Sequence, residues 1–223
     1  MPTLVAVQDE AHPTIDGALW VIVVAGGGGS RFGGPKQFVR IGGRRVVDWS
    51  ITAARAVADG IVVVVPGEDV DVEVDADAIV AGGATRAESV RNGLGCVPPD
   101  AAVVLVHDAA RPAASADLFR RVADVVREGA SGVVPGVAVT DSLRERDGGA
   151  VDRDALVAVQ TPQGFRAETL RAAHASGLDA SDDATLVERD GGTIVVVDGE
   201  IGNIKLTHPD DVVLLERVLG SDR

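Results

Sequence analysis

The chain alternates between short runs of consecutive apolar residues and longer stretches in which apolar residues recur at helical intervals. The apolar runs, rich in Val and Ile, are Val21–Val24, Ile61–Val65, Ile79–Ala81, Val103–Val106, Val133–Val139 and Ile194–Val197. Such runs are typical of strands buried on both faces of a parallel sheet. The stretches with helical spacing are Arg45–Val57, Arg86–Leu94, Ala116–Val126, Ala167–Ala175 and Pro209–Leu219. This order predicts an α/β fold, with a mainly parallel sheet, helices on both faces and ligands at the carboxyl ends of the strands.

Two of the predicted helices begin next to residues that commonly cap helices. Ser115 precedes the third helix. Thr207 precedes the last one, with Asp210 three residues further on. Side chains of this kind accept hydrogen bonds from the free N–H groups of a first turn, so both residues are expected to act as N-caps.

The segment Asp141–Asp154 interrupts the alternation, because it is polar and charged with a turn signal at Asp147-Gly148-Gly149. It predicts a two-stranded arm at about residues 141–154, which is marginal in water without a partner. A solvated hairpin is the alternative. With no repeat and no Pro- or Ser-rich linker, the chain is interpreted as an N-terminal extension (1–17) and a single domain (18–223).

Composition restricts the classes of partner. The chain has 223 residues, of which 46% are hydrophobic and 25% charged, as in ordinary globular proteins. Its net charge of −13 argues against broad binding to nucleic acid or to an anionic membrane. No apolar run approaches the ~18 residues of a membrane span, and the N-terminus lacks the basic start of a secretory signal. A lone cysteine, Cys96, fits a reducing cytoplasm.

A glycine-rich loop, residues 25–36 (AGGGGSRFGGPK), directly follows the first predicted strand. Backbone amides in such a loop can hold phosphate, with Arg31 and Lys36 as flanking cations, although a merely flexible turn is the alternative. The loop is not a P-loop, because Gln37 follows Lys36, and its glycines do not have the dinucleotide-binding spacing. Lys36 and Lys205 are the only lysines among 21 basic residues, which marks both as candidate phosphate ligands.

Six motifs occur in an order that resembles a known family. They are the glycine loop AGGGGSRFGGPKQF, GGATRAESV (82–90), VLVHDAARP (104–112), QTPQGF (160–165), SDDATLVE (181–188) and GNIKLTHPDD (202–211). From about Leu19 to Leu219 the chain is similar to 2-C-methyl-D-erythritol 4-phosphate cytidylyltransferases. The resemblance implies a Rossmann-like nucleotidyltransferase fold, a homodimer joined through the β-arm, and Mg²⁺-dependent transfer of CMP from CTP to methylerythritol phosphate. The length argues against the second enzyme domain of some relatives.

The same resemblance implies roles for individual residues. The catalytic residues would be Arg31, Lys36, Arg153 and Lys205, with Arg153 reaching into the neighbouring subunit. CTP would be bound by Ala25, Gly26, Gly27, Gly29, Ser30, Arg31, Lys36, Gly83, Ser89, Asp108 and Ala109. The acceptor would be bound by Asp108, Arg111, Ser142, Arg153, Ser181 and Lys205. Asp108, at the end of a predicted strand, would bind metal or substrate, with a turn cap as the alternative.

Several interpretations stay open. Arg86 either contacts the nucleotide or braces the loop, and His107 is expected to be structural. The four histidines share no metal-like spacing, and no Ser-His-Asp pattern is present. The rival functions are transfer to another polyol phosphate, such as ribitol 5-phosphate, and noncatalytic nucleotide binding.

Overall fold

A computed structural model describes residues 14–27 and 32–220 of the chain. The helices are α1 (Val46–Arg55), α2 (Arg86–Leu94), α3 (Ala116–Arg127), α4 (Ala167–Ala175), α5 (Asp183–Arg189) and α6 (Asp211–Gly220), with 3₁₀ turns at Lys36–Phe38, Gly67–Asp69 and Arg153–Ala155. The strands are β1 (Leu19–Val24), β2 (Arg40–Ile41), β3 (Arg44–Arg45), β4 (Gly60–Val65), β5 (Ala78–Ala81), β6 (Val103–Asp108), β7 (Gly132–Ala138), β8 (Leu143–Arg144), β9 (Ala150–Val151), β10 (Val157–Val159), β11 (Gln163–Arg166) and β12 (Ile194–Asp198).

Eight strands form the central sheet, in the order β10-β7-β11-β6-β1-β4-β5, with β12 on β7. The pairs β1–β4, β1–β6, β4–β5 and β7–β12 are parallel. The strand β11 is antiparallel to both of its neighbours, β6 and β7, and β10 is antiparallel to β7. The prediction of a mainly parallel sheet is therefore confirmed, with two antiparallel strands inserted.

Helices cover both faces of this sheet, which explains the unbroken apolar runs. Val21 and Val23 of β1 lie in one buried cluster with residues of α1 and α3. Ile22, between them, lies in the second cluster with residues of α2, α4 and α5. Successive side chains of a strand point to opposite faces, so a strand covered on both sides is apolar at every position. A smaller cluster joins α6 to β2 through Ile41 and Leu215.

Two elements of the sheet and one helix have no counterpart in the predicted pattern. The strand β11 was not predicted, because its sequence QGFR has a polar residue at each end. Gln163 is nevertheless 1% exposed, and its amide donates to Asp182 Oδ2 (2.8 Å) and accepts from the Ala184 N–H (3.3 Å). The short strand β10 and the seven-residue helix α5 were also missed.

The two predicted caps have different outcomes. Ser115 is the N-cap of α3, and its hydroxyl accepts from the Leu118 N–H, as predicted. The prediction for Thr207 is wrong, because α6 begins at Asp211 rather than at Pro209. The Asp211 carboxylate itself accepts from the backbone N–H groups of Thr207 and His208, both at 2.7 Å.

The polar segment 141–154 contains the short strands β8 and β9, paired antiparallel over two residues each. That this ribbon joins two subunits stays a prediction. Of the predicted N-terminal extension, residues 1–13 lie outside the described part of the chain. Within the described residues, every helix is too short or too polar to cross a bilayer.

Candidate active site

A pocket of about 290 Å³ opens where β1, β5 and β6 end, at the carboxyl edge of the sheet. Two glycine-containing turns, after β1 and after β5, form part of its wall, and α2 begins beside it. Its lining residues are Val24, Ala25, Gly26, Gly27, Lys36, Gln37, Gly83, Ala84, Thr85, Arg86, Ser89, Asp108, Ala109, Ala110 and Lys205. An anion in this pocket would meet backbone N–H groups, a helix N-terminus and several cations.

The two glycine turns lie against each other. A Cβ at Gly26 would lie 3.6 Å from the Gly82 Cα, an ordinary van der Waals contact, whereas a Cβ at Gly82 would lie only 3.0 Å from the Ser89 Oγ, so glycine at position 82 leaves room for the Ser89 hydroxyl. Ser89 organises the second turn, because its hydroxyl accepts from the Gly83 N–H (3.1 Å) and donates to the Thr85 carbonyl (2.9 Å). The Ser89 hydroxyl therefore donates within the protein, and Ser89 shapes the pocket wall.

Asp108 lies at the end of β6 and forms the charged floor of the pocket. One of its carboxylate oxygens accepts from Lys205 Nζ (2.5 Å), and the other accepts from Arg86 Nε (3.3 Å). Arg86 is the first residue of α2, and its Nη1 donates to Asp183 at 2.7 Å. The Arg86 guanidinium thus braces two buried carboxylates, and the predicted contacts with the nucleotide or with the loop stay predictions.

These contacts fix the charge of the site. Burial raises the pKa of Asp108, but Arg86 and Lys205 more than offset this effect and hold the pKa of Asp108 well below its usual range. Burial lowers the pKa of Arg86, and the carboxylates of Asp183 and Asp108 outweigh burial and raise it above its usual value. Both groups are therefore charged throughout the physiological pH range.

The two lysines of the chain approach the same pocket from different segments. Lys36 begins the 3₁₀ turn after the glycine loop, and its Nζ donates to the Leu206 carbonyl at 2.9 Å. Leu206 follows Lys205, whose Nζ contacts Asp108. The Lys205–Leu206 segment is held in turn by the Leu206 N–H, which donates to the Ala110 carbonyl (2.7 Å). This backbone contact places both ammonium groups on one side of the pocket.

His107 supports the floor from behind and does not face the pocket. It is fully buried, and its Nε2 lies 3.2 Å from the Arg111 carbonyl, so Nε2 carries the hydrogen. Its Nδ1 then accepts from the Thr161 hydroxyl (3.1 Å), which itself accepts from the Asp108 N–H (3.1 Å). His107 therefore has the structural role that was expected of it.

The burial of His107 predicts a pH dependence of folding stability. Burial lowers the pKa of His107 from 6.5 to about 4. Between these values the unfolded chain binds a proton that the folded chain does not, so the free energy of unfolding falls as the pH decreases from 6.5 to 4, by up to about 3 kcal/mol. Urea unfolding at a series of pH values measures this slope, and His107→Gln should flatten it. Equal slopes in wild type and variant would contradict the assignment.

The structure brings nine of the predicted site residues together. The residues that line the pocket are Ala25, Gly26, Gly27, Lys36, Gly83, Ser89, Asp108, Ala109 and Lys205. The predictions for Gly29, Ser30 and Arg31 lie outside the described residues. Four predicted residues lie elsewhere: Arg111, Ser142, Arg153 and Ser181.

Each of these four has a defined position. Arg111 donates to the carbonyls of Asn203 (2.7 Å) and Val159 (3.3 Å), close behind the pocket floor. Ser142 is exposed just before β8, and Ser181 is exposed just before α5. Arg153 lines a separate cavity beside β10 and β12, donates to the Thr140 carbonyl and lies 3.8 Å from Asp154.

Three side chains at or near the site were not predicted. Gln37 lines the pocket at 2% exposure, and its Nε2 has no hydrogen-bond partner among residues 14–27 and 32–220. Asp183 and His174 lie behind Arg86 and are buried. Asp183 belongs to the SDDATLVE motif, so that motif was the available signal. His174 shares no metal-like spacing with another histidine, so no sequence pattern marked it.

The donor set limits how a metal could be held. Among the described residues there is no group of three or more His, Cys, Asp or Glu side chains suited to a metal ion. Asp108 is the carboxylate that lines the pocket. Mg²⁺ commonly binds through one or two carboxylates together with substrate phosphates, so a single ionised aspartate fits that mode and does not fit an all-protein cage.

Comparison with known proteins gives consistent matches over most of the chain. The family described as "2-C-methyl-D-erythritol 4-phosphate cytidylyltransferase" matches residues 19–221. A protein of that name from Nocardia farcinica is 42% identical over 219 residues, which cover 92% of this chain and 95% of that protein. The crystal structure of the protein of that name from Thermus thermophilus has a TM-score of 0.77 at 37% identity, covering 90% of this chain and 98% of that one.

Some relatives are longer. A protein named "Bifunctional enzyme IspD/IspF" from Solidesulfovibrio magneticus is 40% identical over 225 residues. The match covers 89% of this chain and 56% of that protein. The chain therefore spans little more than half the length of this relative.

Proposed function

The chain belongs to the 2-C-methyl-D-erythritol 4-phosphate cytidylyltransferase family, and from this premise we propose that it transfers CMP from CTP to 2-C-methyl-D-erythritol 4-phosphate. Pyrophosphate is the second product. The observation that carries the proposal is the convergence of Lys36, Lys205 and the ionised Asp108 on one pocket walled by two glycine turns. That arrangement suits a reaction between two phosphate esters.

The attacking group in this reaction needs no general base. A phosphate monoester has a second pKa near 6, so the acceptor phosphate is largely a dianion at neutral pH and carries its own nucleophilic oxygen. The difficulty is electrostatic, because this dianion must approach the α-phosphate of a triphosphate. We assign Lys36 and Lys205 to reduce that repulsion and to align the two groups, with Arg31 as a third cation.

The nucleotide is proposed to lie along the glycine turns. Backbone groups of Ala25 and Gly83 can approach the cytosine ring closely, and the backbone N–H groups of Gly26 and Gly27 would donate to the triphosphate, a role that the family resemblance extends to Gly29 and Ser30. Ser89 acts by holding the second turn in place, in line with its two internal hydrogen bonds. A pocket of about 290 Å³ lies at the lower limit of small-molecule sites, which begin at about 300 Å³.

Asp108 is proposed to hold Mg²⁺ together with the substrate phosphates. When bound, the ion would neutralise triphosphate charge and polarise the phosphoryl group. Lys205 and Arg86 keep the Asp108 carboxylate ionised and in place.

The acceptor is proposed to bind between two subunits. Arg153 lies in a cavity that shares no lining residue with the Lys36 pocket, so it would complete the site of a partner. The cavity lies among half-exposed apolar residues of β10 and β12, including Val157 (45% exposed) and Val196 (51%). Such a face favours a homodimer with the β8–β9 ribbon at its interface. Arg111, Ser142 and Ser181 would contact the acceptor. A cytoplasmic location is proposed from the unpaired Cys96.

The proposed reaction is tested by measuring pyrophosphate release and product mass. CTP is supplied with methylerythritol phosphate or with ribitol 5-phosphate, each with and without Mg²⁺. We expect release only with methylerythritol phosphate and Mg²⁺, and a product heavier than the acceptor by one cytidylyl group. Preference for ribitol 5-phosphate would contradict the assigned acceptor. Tight binding of CTP without turnover would contradict the proposed transferase activity.

A further inference from the structure

Five charged or titratable side chains form a continuous hydrogen-bonded chain from the pocket to helices α4 and α5, which pack with α2 on one face of the sheet. We call it the charge network: Lys205, Asp108, Arg86, Asp183 and His174. Its links are Lys205 Nζ to Asp108 Oδ2 (2.5 Å), Arg86 Nε to Asp108 Oδ1 (3.3 Å), Arg86 Nη1 to Asp183 Oδ2 (2.7 Å) and His174 Nε2 to Asp183 Oδ1 (2.9 Å). The last two residues belong to α5 and α4, neither of which lines the pocket.

The far end of the network is fully enclosed. Asp183 is 0% exposed and His174 is 3% exposed. A buried carboxylate is costly unless its oxygens are paired, and here each oxygen of Asp183 has one charged or polar donor. His174 Nδ1 is buried without a hydrogen-bond partner among the described residues, so Nε2 supplies the hydrogen that Asp183 accepts. His174 thereby fixes the direction in which the other oxygen of Asp183 faces Arg86.

Arg86 transmits that direction to the pocket floor. Its guanidinium is planar and rigid, and two of its nitrogens bind two different carboxylates. If the Asp183 carboxylate turns, Arg86 Nη1 moves with it. Because Arg86 Nε lies in the same rigid plane, it then moves relative to Asp108. The position of the Asp108 carboxylate relative to Lys205 therefore depends on the side chains of Asp183 in α5 and His174 in α4.

We propose that His174 and Asp183 are positioning residues of the transfer reaction, which hold Arg86 at the angle that sets Asp108 against Lys205. The proposal rests on the proposed cytidylyl transfer. It concerns the rate of the transfer step more than affinity for CTP, because neither residue touches the pocket.

The first test compares two replacements of His174. His174→Leu fills the buried space with an apolar side chain and removes the N–H group that donates to Asp183. His174→Gln can still donate to Asp183. We expect His174→Leu to lower kcat about tenfold, as loss of an outer-shell partner typically does, with KM for CTP changed less than about twofold. His174→Gln should recover most of the loss. Asp183→Asn, which removes the charge, should lower kcat at least as much as His174→Leu.

A matched control separates positioning from stability. Leu170 is fully buried in α4, the helix that carries His174, and has no part in the network. Leu170→Val should lower the melting temperature through lost packing and leave kcat per folded molecule unchanged. If His174→Leu also changes only the melting temperature, the positioning role is wrong.

A double-mutant cycle and an NMR spectrum show whether His174 affects kcat through Arg86. In an Arg86→Lys background, which cannot span both carboxylates, His174→Leu should cause no further loss of kcat, whereas additive losses would contradict the proposal. The ¹⁵N–¹H signal of Arg86 Nε, assigned by its loss in Arg86→Lys, should shift in His174→Leu and not in Leu170→Val. An unmoved signal would overturn the proposal even if the wild-type protein has no transfer activity, whereas that inactivity alone would reject only the proposed function.

Discussion

Replacing Lys36 with alanine is expected to lower kcat by about a hundred- to a thousand-fold while the protein folds normally. Loss of a preorganised donor to developing charge typically costs about 3–4 kcal/mol of barrier, which gives this range. Lys36 lines the pocket, and its Nζ is held at the Leu206 carbonyl by a hydrogen bond of 2.9 Å. The charge is thus already in place when the pyrophosphate departs. Half-burial at the protein surface makes a large loss of folding stability unexpected.

Single-turnover kinetics with enzyme in excess over CTP measure the transfer step in this variant. Arg40 provides a matched control, because it lies four residues further along, is exposed, and donates to the Gly43 carbonyl outside the pocket. Arg40→Ala removes a cation of the same segment and should change the rate less than about twofold. A Lys36→Ala protein with wild-type single-turnover rate would exclude Lys36 from the chemistry.

The strands that could be predicted are those whose burial is visible in their own residues. Runs such as Ile61–Val65 are apolar at every position because helices cover both faces, and that condition is visible in the residues themselves. The strand β11 is different, since the partners that allow Gln163 to be buried are Asp182 and Ala184, about twenty residues later. A hydrophobicity pattern contains no information about such partners. The wrong start of α6 has a local cause, because the Asp211 carboxylate accepts from the backbone N–H groups of Thr207 and His208 and both residues lie before the helix.

The candidate site divides in the same way. Ala25, Gly83 and Asp108 each lie within two residues of the end of a predicted strand. Their roles came from the family resemblance, and their positions agree with the rule that ligands bind at the carboxyl ends of parallel strands. Asp183 and His174 reach the site through the packing of α4 and α5 against α2, and neither stands at a strand end. Arg153 falls outside the pocket within one chain, so its proposed role requires a second subunit. The geometry of a single chain explains the positions of the strand-end residues and of the charge network. The proposed role of Arg153 needs an experiment on mixed dimers.

Mixing two inactive variants is expected to restore activity if Arg153 serves the partner's pocket. Arg153→Ala should reduce kcat/KM for the acceptor by about a hundredfold, because it would remove a charge pair with the acceptor phosphate that the proposed subunit interface would bury. In a mixed dimer of Arg153→Ala with Lys36→Ala, one site has an intact Lys36 from the first subunit and an intact Arg153 from the second. Random exchange makes half of the dimers mixed, each with one complete site, so about a quarter of wild-type activity should return.

The negative control uses two residues of the same pocket. Lys36 and Lys205 both line one cavity of a single chain, so mixed dimers of Lys36→Ala with Lys205→Ala contain no complete site and should stay inactive. Differently tagged subunits and native mass spectrometry verify that mixed dimers have formed. Verified Arg153→Ala and Lys36→Ala dimers without recovered activity would place Arg153 in its own subunit's reaction or outside the reaction altogether. Because Arg153 is half-exposed and lines a cavity separate from the Lys36 pocket, recovery would require its guanidinium to reach across the interface to the acceptor phosphate.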